Sequence, residues 1–165
     1  MASKKGIAVT IIILAAITGA SFLLWMVPQD KETTFVVSNY GNYLDGVKNI
    51  HEVLQESINF EYQNLLSGDI SPEEYIDITE VTSRQVTTQI SEFVTSKPPE
   101  EWQSSYIEYM NAMKKFNEYI IETKVLANLI ENGSSEEEMV KTLEKIELLK
   151  VESLEHVKMS NESRP

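Results

Sequence analysis

Between Lys5 and Pro28 the chain runs GIAVTIIILAAITGASFLLWMV, 22 residues from Gly6 to Val27 without one charged side chain. As a helix this run is about 33 Å long, the thickness of the hydrocarbon core of a bilayer. Its only hydroxyls, on Thr10, Thr18 and Ser21, can bond back to carbonyls of their own helix. Trp25 stands near the far end, where an indole suits the headgroup region, and Pro28 ends the helix. A core helix of a globular domain needs neither this length nor these flanks. The sequence therefore predicts a membrane-spanning helix over residues 6–28, with the lipid bilayer as its first partner.

The flanks give the orientation. Lys4 and Lys5 precede the span and Asp30 and Glu32 follow it, so the basic end stays inside. Residues 1–5 are then a short cytoplasmic tail, 29–37 a linker, 38–159 an extracytoplasmic domain and 160–165 a polar C-terminal tail. The expected location is the cell membrane, single-pass, with the C-terminal domain outside. The whole chain carries −12, with 26 acidic against 14 basic residues. That sign argues against a nucleic-acid partner, which needs a basic face for phosphates. Most of the excess sits in residues 32–83, where ten acids face Lys48 alone. This half reads as a solvated face, or as an attraction for a basic partner.

Three fates of the span follow from its pattern. As an uncleaved signal anchor it is longer than the core of a cleaved signal, and apolar residues continue past any small-residue cut site. Thr18-Gly19-Ala20 is a poor version of such a site, and cleavage there would release a secreted bundle. Lys4-Lys5-Gly6-Ile7 followed by a long apolar helix resembles the class III signal of archaeal pilin-like proteins, which implies processing after Gly6. The acidic residue that bacterial type IV pilins carry near the start of the mature helix is missing here. The general layout resembles that of small anchored envelope proteins of archaea and bacteria. Ala15 and Gly19, with Ala16 and Ala20, place small residues on one face of the span, a candidate contact between two membrane helices and hence a route to a homo-oligomer.

Beyond the linker the periodicity is helical. A first helix is predicted from about Ser38 to Leu66, its apolar residues spaced by threes and fours from Tyr40 to Leu65. Ser71-Pro72-Glu73-Glu74 supplies a capping hydroxyl, a proline at the first helical position and a glutamate three residues after the cap. That second helix should run to about Thr95 and bury Ile78, Val86, Ile90 and Phe93. Its Thr- and Gln-rich middle, Thr79 to Gln89, marks it as the least well-anchored of the set. Pro98-Pro99 breaks it. A third helix, Glu100 to Glu131, carries Trp102, Tyr106, Tyr109, Met113, Phe116 and Ile120 on one stripe. Ser135 and Glu138 cap a fourth, expected to bury Met139, Leu143, Ile146, Leu149, Leu154 and Val157. Short loops make neighbours antiparallel. The expected fold is all-α: one N-terminal transmembrane helix followed by an up-down-up-down four-helix bundle.

The residue types present exclude more chemistry than they suggest. Without cysteine there is no disulfide framework, thiolate metal site or cysteine nucleophile. Helical di-metal sites use Glu-x-x-His twice, but the residues three before His51 and His156 are Lys48 and Ser153. No calcium loop, glycine-rich phosphate loop or G-x-S-x-G turn occurs. No enzyme activity, metal or cofactor is expected. His51 lies in register with Val47 and Leu54 and reads as a core imidazole, with pH sensing as the other reading.

The candidate contact residues are therefore aromatic. Trp102, Tyr106, Tyr109, Phe116 and Tyr119 share the third helix and read first as ordinary bundle packing; with His51 they are also the candidates for a docking face for a protein or a cleft for a small ligand. Asn132-Gly133-Ser134 and Asn161-Glu162-Ser163 are sequons, placed in a loop and in the tail where N-glycosylation outside the membrane would reach them. The leading expectation is a non-catalytic, membrane-anchored domain acting by protein–protein contact, an accessory or scaffolding subunit of a membrane or cell-envelope assembly. The alternatives are an extracytoplasmic sensor or ligand-binding bundle and a pilin-like surface subunit.

Overall fold

The computed structural model describes residues 39–165; the predicted membrane span, with Ala15, Ala16, Gly19 and Ala20, lies outside them. The described part is all-α, four helices in order: α1 Tyr40–Ser67, α2 Pro72–Thr95, α3 Glu100–Glu131 and α4 Glu136–Glu162. Among the described residues no helix is long and apolar enough to cross a membrane.

Local chemistry sets the boundaries. The Asn39 side chain accepts the Asn42 amide at 2.9 Å and starts α1. Gly68 ends it at φ 76°, a left-handed turn that glycine adopts without steric cost. Ser71 caps α2 through the Glu74 amide, with Pro72 at the first position, where its missing N–H costs nothing. At α4, Ser135 and Glu138 form the reciprocal capping box that the sequence announces. α3 starts differently: Pro99 offers no side-chain cap, and Glu100 and Glu101 complement the positive helix end instead.

Cross-helix pairs show that neighbours run antiparallel. The Tyr40 hydroxyl reaches the Lys97 carbonyl, joining the start of α1 to the end of α2. Tyr75 donates to Thr123 and Ser83 to Asn117 between α2 and α3. Lys145 meets Glu122, Lys115 meets Glu152 and His156 meets Glu108 between α4 and α3. α3 is the hub. Its backbone comes within 8 Å of each other helix, whereas α4 approaches neither α1 nor α2 that closely. The large rings of Tyr109, Phe116 and Tyr119, all buried on α3, meet α1, where Tyr109 and Phe116 pack on His51 and Tyr119 on Tyr62.

The core has two parts. One gathers Leu54, Ile58 and Tyr62 of α1 with Phe116, Ile120, Ile146 and Leu149. The other, at the end where α1 begins, gathers Leu44, Phe93, Tyr106, Tyr109, Ala112 and Met113. α2 contributes Tyr75, Val86 and Phe93, with Thr79 and Thr82 between them. The two threonine hydroxyls donate back to the Ile76 and Ile78 carbonyls. Each threonine thus enters the core as a small satisfied residue, and α2 is anchored at more points than its composition suggests.

Two expectations need correction. The buried face of α4 is Thr142, Ile146, Leu149, Ser153 and Ser160, while Leu143 and Leu154 are exposed. Small hydroxyl residues take the inward positions because α4 lies close against α3. Ser153 donates to the Ala112 carbonyl at 3.0 Å and Ser105 to the Ser160 carbonyl at 2.8 Å, where longer side chains would force the helices apart. The second correction concerns residues 160–165, read as a polar tail. α4 continues to Glu162, Ser160 is fully buried, and Arg164 turns back to grip Asp45 through two nitrogens at 2.7 and 3.1 Å.

Candidate functional site

Of the aromatic residues singled out on α3, Trp102, Tyr106 and Tyr109 lie at the end of the bundle where α1 begins, and Phe116 and Tyr119 lie in the other part of the core. Tyr106, Tyr109, Phe116 and Tyr119 are all buried; Trp102 alone of the five is half-exposed. They therefore form no open docking face. Each buried phenol has a defined partner. Tyr106 donates to the Tyr40 carbonyl at 2.8 Å, Tyr119 to Asn59 Oδ1 at 2.7 Å, and the Tyr109 hydroxyl meets His51 Nδ1 at 2.8 Å. The aromatic faces pack as well: Phe93 and Tyr106 stack at 4.5 Å with an angle of 11° between their planes. Burial pushes the Tyr106 and Tyr109 hydroxyls far above the ordinary phenol range, so they stay protonated. Tyr43 is pushed up to about 12 by burial and then by Glu92.

His51 joins the two parts of the core. Its ring lies 4.7 Å from that of Phe116 and 5.7 Å from that of Tyr109. It is 1% exposed, its Nε2 has no hydrogen-bond partner, and burial lowers its pKa to about 4. The imidazole is neutral at physiological pH. The core reading made from its register with Val47 and Leu54 is where the structure places it. Lys48, one turn before His51 on α1, holds its ammonium 5.4 Å from the centre of the Tyr109 ring and bonds Asn161 of α4. Burial is the main reason its pKa is lowered.

A clasp closes this end. The Arg164 guanidinium sits 5.7 Å from the Trp102 ring centre while it pairs with Asp45. The hydrogen bond from Arg164 holds the Asp45 carboxyl below its usual range. Gly41 makes room for the clasp: a Cβ there would stand 3.2 Å from the Trp102 indole and 3.5 Å from the Arg164 guanidinium. Nothing in the sequence marked Arg164, because its role depends on the start of α1 meeting the residues that follow α4.

The residues that sequence reasoning missed lie just outside Tyr106. Phe93, Val94, Lys97, Ile107 and Met110 line a groove of about 400 Å³ between the end of α2 and the start of α3. A second groove of about 300 Å³ has Glu80, Arg84 and Lys124 among its lining residues. The signals available were Phe93 at the end of α2 and the Lys97-Pro98-Pro99 break. Only the fold shows that Val94 and Ile107 stay exposed there, 57% and 51% respectively.

The sequons differ in setting. Asn132 is exposed at the α3–α4 loop, just before Gly133 at φ 62°. Asn161, expected in a tail, lies in the last turn of α4 with its carbonyl oxygen held by Lys48. Among the described residues no cluster of three or more His, Asp or Glu is gathered as a metal ion would need. No protein-family model, curated protein or solved structure matches the chain.

Proposed function

We propose that the protein is a non-catalytic, membrane-anchored bundle that acts by protein–protein contact on the outer side of the membrane, as an accessory or scaffolding subunit of a membrane or envelope assembly. In this reading residues 6–28 are an uncleaved anchor and α1 to α4 form an antiparallel up-down-up-down bundle beyond it. The anchor rests on the charge-free run and its flanks.

One observation carries the contact function. α4 packs on α3 with one face and leaves Val140, Leu143, Leu148, Val151 and Leu154 exposed along its other side. Five large aliphatic side chains on one two-sided helix are more than scattered surface apolar residues, and such stripes serve as partner-binding faces. Glu144, Glu147 and Lys158 lie among them and give a partner polar groups to recognise. The contact surface thus moves from the tyrosines of α3, which are interior, to the outer side of α4.

A photo-crosslinking side chain placed in turn at Leu148, at Leu154 and at Arg84 on α2 tests this in living cells. The reading expects one discrete heteromeric adduct from the two α4 positions and none from Arg84. Adducts of equal yield from all three positions, or none from α4, would overturn it.

A further inference from the structure

The groove beside Tyr106 combines apolar walls with a single cation. Its floor includes the stacked pair Phe93 and Tyr106, and Val94, Ile107 and Met110 are its apolar walls. The only charged residue lining it is Lys97, in a chain whose net charge is −12. Lys97 takes part in none of the ion pairs among the described residues. The second groove is the contrast: its Arg84 and Lys124 both already pair with Glu80, at 3.3 and 2.7 Å.

The backbone adds a second reason. Lys97 has φ 44°, the only described non-glycine residue in the left-handed region, and it stands directly before a proline, which disfavours helical conformations further. The neighbours enforce it: Ser96, buried, donates to the Phe93 carbonyl at 2.6 Å, and Tyr40 donates to the carbonyl of Lys97 itself. Strained residues held this way recur at ligand clamps. Here the strain sets the root of an unpaired cation at the mouth of an apolar trough.

We propose that this groove binds a single-chain amphiphile with a carboxylate head, its tail against Phe93 and Tyr106 between Val94 and Ile107, its carboxylate on the Lys97 ammonium. A volume of about 400 Å³ falls in the range of small-molecule sites, and an apolar body with one anionic end matches apolar walls with one cationic edge. The site is distinct from the α4 face and does not depend on what that face binds.

The test uses the full chain held in discs of phosphatidylcholine, which carries no net charge. A dodecanoate bearing a diazirine is photolysed with it, and the labelled residues are identified by peptide mass spectrometry. Label is expected on Val94, Ile107 and Met110, and not on the equally exposed Leu148 and Leu154 of α4. A dodecylamine probe of the same design should label the groove about fivefold less, as should dodecanoate with Lys97→Met, the factor an exposed ion pair carries. Ile107→Asp, at an exposed position that the fold tolerates, should abolish groove labelling with unchanged helical content. Equal label on α4, indifference to the head group or to Lys97→Met, or label surviving Ile107→Asp would each overturn the proposal. So would a diazirine phospholipid built into the disc labelling the groove where the free acid does not.

Discussion

Acid should weaken this bundle through one residue, and the size of the effect follows from where His51 sits. In the folded chain burial lowers its pKa to about 4, against about 6.5 in an unfolded chain. Above pH 6.5 the imidazole is neutral in both states, and its full contribution to stability is present. As pH falls below 6.5 the unfolded chain binds a proton that the folded chain refuses, so stability drops by about 1.4 kcal/mol per pH unit. By pH 4 the loss is about 3 kcal/mol, a large share of the 5–15 kcal/mol typical of a domain. Nδ1 meets the Tyr109 hydroxyl and Nε2 meets nothing, so the charged form gains no second bond to offset its desolvation. His51→Leu removes the titration while keeping an apolar side chain of similar size. Urea unfolding at pH 7 and pH 4 can be followed by near-ultraviolet circular dichroism, since all seven tyrosines lie between Tyr40 and Tyr119. The wild type should lose about 3 kcal/mol more than the variant between the two pH values. Equal losses would refute the reasoning, because they would mean that His51 is as free to protonate folded as unfolded.

Three further outcomes follow from the packing. Thr123→Val should cost more than Tyr75→Phe, roughly 1–3 against about 1 kcal/mol in urea unfolding. The first strands the buried Tyr75 hydroxyl, whereas the second leaves Thr123 still bonded to the Ile120 carbonyl. In α4, Ile146→Ala should cost about 2–5 kcal/mol and Leu154→Ala less than about 0.5; comparable costs would return Leu154 to the buried stripe read from the sequence. Translated with endoplasmic-reticulum microsomes, the full chain should gain one glycan. Asn132→Gln should remove it and Asn161→Gln should not, because Asn161 sits in the last turn of α4 with its side-chain carbonyl held by Lys48.

What could be read from the sequence was what depends on near neighbours. Ser71-Pro72 and Ser135 with Glu138 carry their own hydrogen-bonding instructions, and Gly68 and Gly133 mark turns that glycine makes easily. The face of α3 was legible because its large rings recur at helical spacing. α4 was misread for the opposite reason: Thr142, Ser153 and Ser160 occupy its inner face, and small polar residues carry no hydrophobic signal even when close packing demands them. Leucines at Leu143 and Leu154 supplied a competing stripe one step around the helix. The aromatics of α3 read as bundle packing, and the docking face or cleft was the alternative reading of the same stripe. Periodicity shows that Tyr106, Tyr109 and Tyr119 share a side, but their hydroxyls could go inside only because Tyr40, His51 and Asn59 on another helix receive them. Arg164 with Asp45, and Lys97 at the groove, depend on which ends meet in space, and no local pattern encodes that.

The central claim is an uncleaved anchor with the bundle outside. Protease treatment of intact cells, followed by the mass of the fragment left in the membrane, tests both halves at once. The account predicts that the bundle is digested and that the retained fragment begins at Met1 or Ala2. A bundle protected from protease, or a retained fragment beginning at Ile7, would contradict it.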